Sequence, residues 1–241
     1  MIYVFAGPCT VESMEDTFSI AEDLSKINPN ISMRGGCWKP RTSPNSFLGL
    51  GKEGVEILIA ARRKYDLGRC VIEALNREHL EYLDQYRDEI VVQIGARNMQ
   101  NFDLLQELNN FNFSCVILKR GFGNTVYETC KAREYIKSDG VIICERGIRT
   151  FSDSSRFTLD IAAIPMIQKE TGCPVIVDPS HAAGRSELVL PLAEAGLAAG
   201  AVGIMIEVNS KENPIRKCDN DQAITIKSLR DFLLSEHFKF Y

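Results

Sequence analysis

Eight short, nearly continuous apolar runs punctuate the chain and constrain its fold more than any other feature. They are IYVFA (2–6), ISMR (31–34), RCVIEAL (69–75), IVVQIG (90–95), CVILK (115–119), VIICE (141–145), PVIVD (174–178) and VGIMIE (202–207). A strand with one wet face alternates apolar and polar residues, so runs this continuous read as strands buried on both faces. Between and after them lie MEDTFSIAEDLSKI, KEGVEILIAARRKY, NREHLEYLDQYR, MQNFDLLQELN, TVYETCKAREYIK, RFTLDIAAIPMIQKE, SELVLPLAEAGLAA and AITIKSLRDFLLSEHF. Each has apolar residues at three- and four-residue spacing, the period of an amphipathic helix. Pro165 predicts a kink in the sixth. Eight strand–helix pairs in 241 residues match the rhythm of a single α/β domain over 1–241, a (β/α)8 or TIM barrel. An open doubly wound sheet is the rival, but it calls for a glycine-rich phosphate fingerprint after an early strand, and AGPCTVES is not one.

The net charge of −4 and pI near 5.5 argue against a general nucleic-acid surface, so local basic clusters need local causes. No stretch approaches the roughly 20 apolar residues of a membrane span. MIYVFAG lacks the basic start of a signal peptide, and a cytoplasmic protein is expected. None of the eight cysteines sits in a CxxC pair, and several lie inside apolar runs. In a reducing compartment they read as small buried hydrophobes, with Cys9 in AGPCTVES the exception.

In a barrel of this kind the chemistry sits at the C-terminal strand ends. At or just past each run stand Cys9, then Arg34 with Lys39 and Arg41, then Glu73, Arg97, Lys119, Arg146, His181 and Glu207. Polar residues cap strands routinely, but a charged or metal-capable side chain at every strand is a constellation. Arg34, Lys39, Arg97, Lys119 and Arg146 suit phosphate and carboxylate oxygens. Each taken singly is as readily a solvated rim charge. Cys9, His181, Glu207 and a later acid suit a divalent transition metal such as Mn, Fe, Co or Zn. A lone histidine is more often a hydrogen-bonded structural group than a ligand. The remaining histidines, His79 and His237, lie in polar helical segments and are expected at the surface.

AGPCTVES, RGGCWKPRTSP, QIGARNMQN, LKRG, CERGIRTF, VDPSHAAGR and MIEV closely resemble 3-deoxy-D-arabino-heptulosonate 7-phosphate (DAHP) synthases, specifically the short type related to 3-deoxy-D-manno-octulosonate 8-phosphate (KDO8P) synthases. The likeness runs in order from residue 3 to about 236. It implies a (β/α)8 barrel that condenses phosphoenolpyruvate with erythrose 4-phosphate and releases phosphate, the first step of the shikimate pathway towards aromatic amino acids. It also implies a divalent metal on Cys9, His181, Glu207 and Asp219, the last chosen over Asp221 because Gln222 follows it by three. Phosphoenolpyruvate would lie on Arg34, Lys39, Arg97, Lys119 and Arg146 beside Glu73, and the aldose phosphate on Arg41, Thr42, Ser43 and Asp219. Lys39, Lys119, His181 and Glu73 would be the catalytic groups, Lys119 keeping a proton on the reacting system. A homo-oligomer, dimer or tetramer, is implied too.

KPRTS separates this chain from KDO8P synthases, which resemble KANRS there, and Cys9 separates it from that branch's metal-free members, which resemble asparagine. After MIEV the family continues His-Pro-Glu-Pro, whereas this chain has NSKENP and one extra residue before Asp219. The change falls at the acceptor end of the site. The chain begins almost at its first strand, so no separate regulatory domain and no inhibition by tyrosine or phenylalanine are expected. Rival readings are KDO8P synthase-like chemistry, a paralogue acting on a modified aldose phosphate, a catalytically silent sugar-phosphate-binding barrel, and a Schiff-base aldolase using Lys119.

Overall fold

The structure, a computed structural model, describes residues 2–40, 45–210 and 221–235. Eight parallel strands run in chain order: β1 (Tyr3–Gly7), β2 (Ser32–Arg34), β3 (Gly68–Glu73), β4 (Ile90–Ile94), β5 (Val116–Lys119), β6 (Val141–Glu145), β7 (Val175–Val177) and β8 (Gly203–Asn209). Each pairs with the next, and β1 pairs with β8 from Tyr3 opposite Gly203 to Gly7 opposite Glu207, which closes the barrel. Every apolar run read from the sequence overlaps one of these strands. A two-residue β9 (Ile224–Thr225) adds to β8, a pairing hidden inside the last helical segment.

The outer layer is α1 (Met14–Ile27), α2 (Lys52–Tyr65), α3 (Arg77–Leu83), α4 (Phe102–Glu107), α5 (Val126–Glu134), α6 (Ala163–Thr171), α7 (Pro179–Ala183), α8 (Ser186–Ala198) and α9 (Ile226–Leu233). The first two begin and end where the periodicity predicts. The sixth does not, because residues 156–162 pair elsewhere. Arg156 and Phe157 donate their backbone N–H groups to Ala183 and Ala182, and Thr158 exchanges both backbone hydrogen bonds with Ile148. Pro165 explains the late start: it has no N–H and fits only the first turn of a helix, which is where it lies, so no kink arises.

Alternation along the strands separates two cores. One set of residues packs between barrel and helices. The other points inward, and Phe5, Val71, Val91, Cys115, Ile117, Ile142, Cys144, Ile176 and Met205 fill the barrel. All seven described cysteines are buried, and no disulfide joins any two of them. Among the described residues no helix is long and apolar enough to cross a membrane.

Candidate active site

Side chains two apart on a strand share a face. The inward row that is apolar at Val71, Val91, Ile117, Cys144, Ile176 and Met205 therefore continues, one step towards the C-terminal mouth, as Glu73, Gln93, Lys119, Arg146, Asp178 and Glu207. Arg34 joins them from β2. The charged layer thus lies directly on the apolar plug. Above it opens a cavity of about 300 Å3, lined among the described residues by Arg34, Lys39, Arg97, Lys119, Arg146 and Arg156 against a single carboxylate, Glu73. Gln93, His181, Phe122 and Phe157 complete much of the wall. Six cations facing one acid, among the described residues, give the cavity a wall suited to anions.

Opposite charges beneath the cavity are paired. Arg34 Nη1 donates to Glu207 Oε1 at 2.7 Å, with both side chains buried. Lys119 Nζ donates to Asp178 Oδ2. The same carboxylate takes His181 Nδ1 at 2.7 Å, and its Oδ1 caps α7 by accepting the His181 backbone N–H at 3.0 Å. Burial alone pushes Asp178 up, but His181 and Lys119 outweigh it and hold the carboxyl well below its ordinary range. Burial lowers the pKa of His181. Burial also raises Glu73 against the pull of Lys39, Lys119, Arg34 and Arg97, and Gln93 Nε2 donates to it at 3.4 Å. Arg146 lies over Phe157 at 4.2 Å, and its Nη1 is buried with no hydrogen-bond partner among the described residues. A buried guanidinium N–H left this way is a donor awaiting an acceptor oxygen.

The loop of the RGGCWKP motif reaches the site through Gly36. Its N–H donates to Cys9 O, its carbonyl accepts from Val11, and a Cβ there would stand 2.7 Å from both Cys9 O and Lys39 Cδ. Only glycine admits this approach, which brings Lys39 Nζ to 3.1 Å from Cys9 Sγ. Trp38 anchors the same loop by stacking on His79 at 4.0 Å, and His79 Nδ1 accepts the Leu75 N–H. His79 is thus half-buried, not the surface residue its polar helix suggested. His79→Ala is expected to cost about 1 kcal/mol. Since Trp38 is the only tryptophan, its emission should brighten and shift red, and an unchanged spectrum would exclude the stack.

The sequence-predicted Cys9, Arg34, Lys39, Glu73, Arg97, Lys119, Arg146, His181 and Glu207 all gather at this mouth, while Arg41, Thr42, Ser43 and Asp219, like His237, lie outside the described residues. For a metal, the donor chemistry fits at one pair. With Nδ1 engaged by Asp178, the His181 Nε2 lone pair faces Glu207 Oε1 at 3.3 Å, and two electron-pair donors opposed in this way suit a shared cation. Cys9 faces the Lys39 ammonium instead, and among the described residues no three His, Cys, Asp or Glu side chains are arranged to hold a metal. Asp178, Gln93, Arg156 and Phe157 escaped the sequence reading, which used Gln222 only to choose Asp219. Asp178 alone carried a local signal: an aspartate before a proline that opens a helix.

A family model described as the DAHP synthetase I family matches residues 1–237. A phospho-2-dehydro-3-deoxyheptonate aldolase of Thermotoga maritima is 48% identical over 209 residues, 86% of this chain and 60% of that protein. The chain therefore spans under two thirds of that relative's length. A 2-dehydro-3-deoxyphosphooctonate aldolase of Desulfosudis oleivorans is 26% identical over 96% of this chain and 88% of its own length. A crystal structure of the Thermotoga maritima DAHP synthase superposes with a TM-score of 0.90 at 43% identity, covering 99% of this chain and 69% of that one. A truncated form of the Thermotoga maritima enzyme gives 0.87 at 40% identity, covering 99% and 86%. A match over nearly the whole sequence, joined to a near-complete superposition, places this chain in the DAHP synthetase I family.

Proposed function

We propose that the protein condenses phosphoenolpyruvate with erythrose 4-phosphate to give DAHP and inorganic phosphate. The observation that carries this reading is the cavity that, among the described residues, sets six cations against one carboxylate and leaves the Arg146 Nη1 donor without a hydrogen-bond partner in its wall. Phosphoenolpyruvate brings a phosphate and a carboxylate on three carbons, and Arg34, Lys39, Arg97, Lys119 and Arg146 are placed to grip both ends. Glu73, its carboxyl raised by burial, can hold a proton beside the reacting carbons. Lys119 is ion-paired with Asp178, which engages its Nζ as a donor and favours that role over imine formation. A divalent metal on Cys9, His181, Glu207 and Asp219 would, when bound, supply Lewis-acid polarisation of the aldehyde carbonyl. Here Asp178 fixes the ring plane of His181, and Arg34 and Gln222 fix the carboxylate plane of Glu207.

Phosphate release, followed with phosphoenolpyruvate and a panel of aldose phosphates, tests the reading. Turnover with erythrose 4-phosphate well above that with arabinose 5-phosphate is expected from KPRTS. The reverse preference would assign KDO8P chemistry. Ligand-induced stabilisation with no phosphate release from any aldose would leave a silent sugar-phosphate-binding barrel. Borohydride with substrate present should trap no adduct on Lys119.

A further inference from the structure

Gln222 lies outside the cavity lining, is 2% exposed, and joins two charged groups. Its Nε2 donates to Glu207 Oε2 at 2.7 Å, and its Oε1 accepts from Arg156 Nη1 at 3.1 Å. The amide cannot be reversed, since that would set a carbonyl oxygen against a carboxylate and an NH2 against a guanidinium. Its backbone is held on both sides. The Asp221 carbonyl accepts from Ser186 at the start of α8, and Ile224 pairs with Val208 of β8. Glu207 is thus clamped at one oxygen by Arg34 and at the other by Gln222. Arg156, in turn, lines the cavity mouth with its guanidinium over Phe157.

Resting on the proposed reaction, we propose that Gln222 is a positioning residue: its amide sets the Glu207 carboxylate and ties it to Arg156, coupling anion binding at the mouth to alignment of the centre. The acceptor's phosphate is the anion that Arg156 meets. The amide carries that contact to Glu207 without touching substrate itself.

The test compares the parent protein with Gln222→Met, which keeps volume and loses both hydrogen bonds, with Arg156→Met, and with the double variant. Phosphate release, cobalt(II) affinity by absorbance titration without substrate, and the thermal midpoint are measured on each. Gln222→Met is expected to lower kcat/KM and cobalt affinity by about 10- to 100-fold, the range for residues that orient metal ligands, with little change in midpoint. Arg156→Met should raise KM for the aldose phosphate roughly tenfold, a direct loss of phosphate contact that persists in the double variant, whereas in cobalt affinity the double variant should lose no more than Gln222→Met alone, as expected for coupled residues. Values within twofold of the parent for Gln222→Met on both readouts would overturn the inference, as would cobalt-affinity losses that multiply in the double variant. If Gln222→Met does not fold, the exposed Arg156→Met decides, and an unchanged KM refutes the link. A parent inactive on every aldose phosphate refutes the reaction instead, and cobalt affinity still judges Gln222.

Discussion

Asp178→Asn is expected to destabilise the fold by about 3–5 kcal/mol, the usual cost of removing one partner of a buried ion pair. Turnover should fall roughly 1,000-fold, equivalent to about 4 kcal/mol of lost alignment. Asparagine keeps the volume and the Oδ1 acceptor that caps α7, so neither a cavity nor a lost cap complicates the comparison. What changes is the second oxygen, which now serves both the Lys119 ammonium and His181 Nδ1. An NH2 in that place opposes an ammionium and an N–H at once. Lys119 is left as an uncompensated charge in a site 5% exposed. The His181 ring recovers a hydrogen bond only by moving its proton to Nε2, which turns the lone pair away from Glu207. Adding Lys119→Met removes the orphaned charge, so the double variant should regain stability over Asp178→Asn without regaining turnover. Urea unfolding and phosphate release on the three variants check this. An Asp178→Asn protein that melts and turns over like the parent would remove Asp178 from the site.

The barrel was legible because burial on both faces leaves a strong one-dimensional trace. Runs such as VIICE and GIMIE owe their continuity to an apolar plug on one side and helices on the other. The period-2 step from Ile117 to Lys119, or Met205 to Glu207, carries the same trace into the site. Asp178 belongs to the row too, but PVIVD reads as a strand end, and the partners that give it a role are distant in the chain or hidden in the turn of α7. The stretch 156–162 shows the limit differently. Its helical spacing is real, yet its backbone finds better partners at Ile148, Ala182 and Ala183, and that detour puts Arg156 and Phe157 at the cavity mouth. Long-range pairing overrides local propensity there, and no local pattern records it.

In chelator, so that no metal contributes, the protein should lose stability steeply as pH falls from about 4.5 towards 2, with Glu207 a principal cause. Burial pushes this carboxyl up, but His181, Arg34, Lys39 and the Gln222 amide together hold it at about 2, against an ordinary value of 4.5. A depressed folded-state pKa means that the unfolded chain takes up the proton first. The stabilisation is therefore complete above 4.5 and lost on descending through that window, on the order of 3 kcal/mol from this one group. Asp178 acts in the same sense. Glu73 and Glu145, both raised by burial, act in the opposite sense: their contribution is present at low pH and lost as pH rises past the ordinary value. Maximum stability is accordingly expected on the mildly acid side of neutrality, with a sharp fall below it. Glu207→Gln leaves Arg34 unpaired and lowers stability at neutral pH, yet it deletes the titration. Its urea midpoint should then fall less steeply below pH 4.5 than the parent's, and the gap between the two should narrow by that same order of 3 kcal/mol. Parallel curves down to about pH 2 would show that the Glu207 proton is not linked to folding, and that the pairing with Arg34 and His181 does not hold in solution.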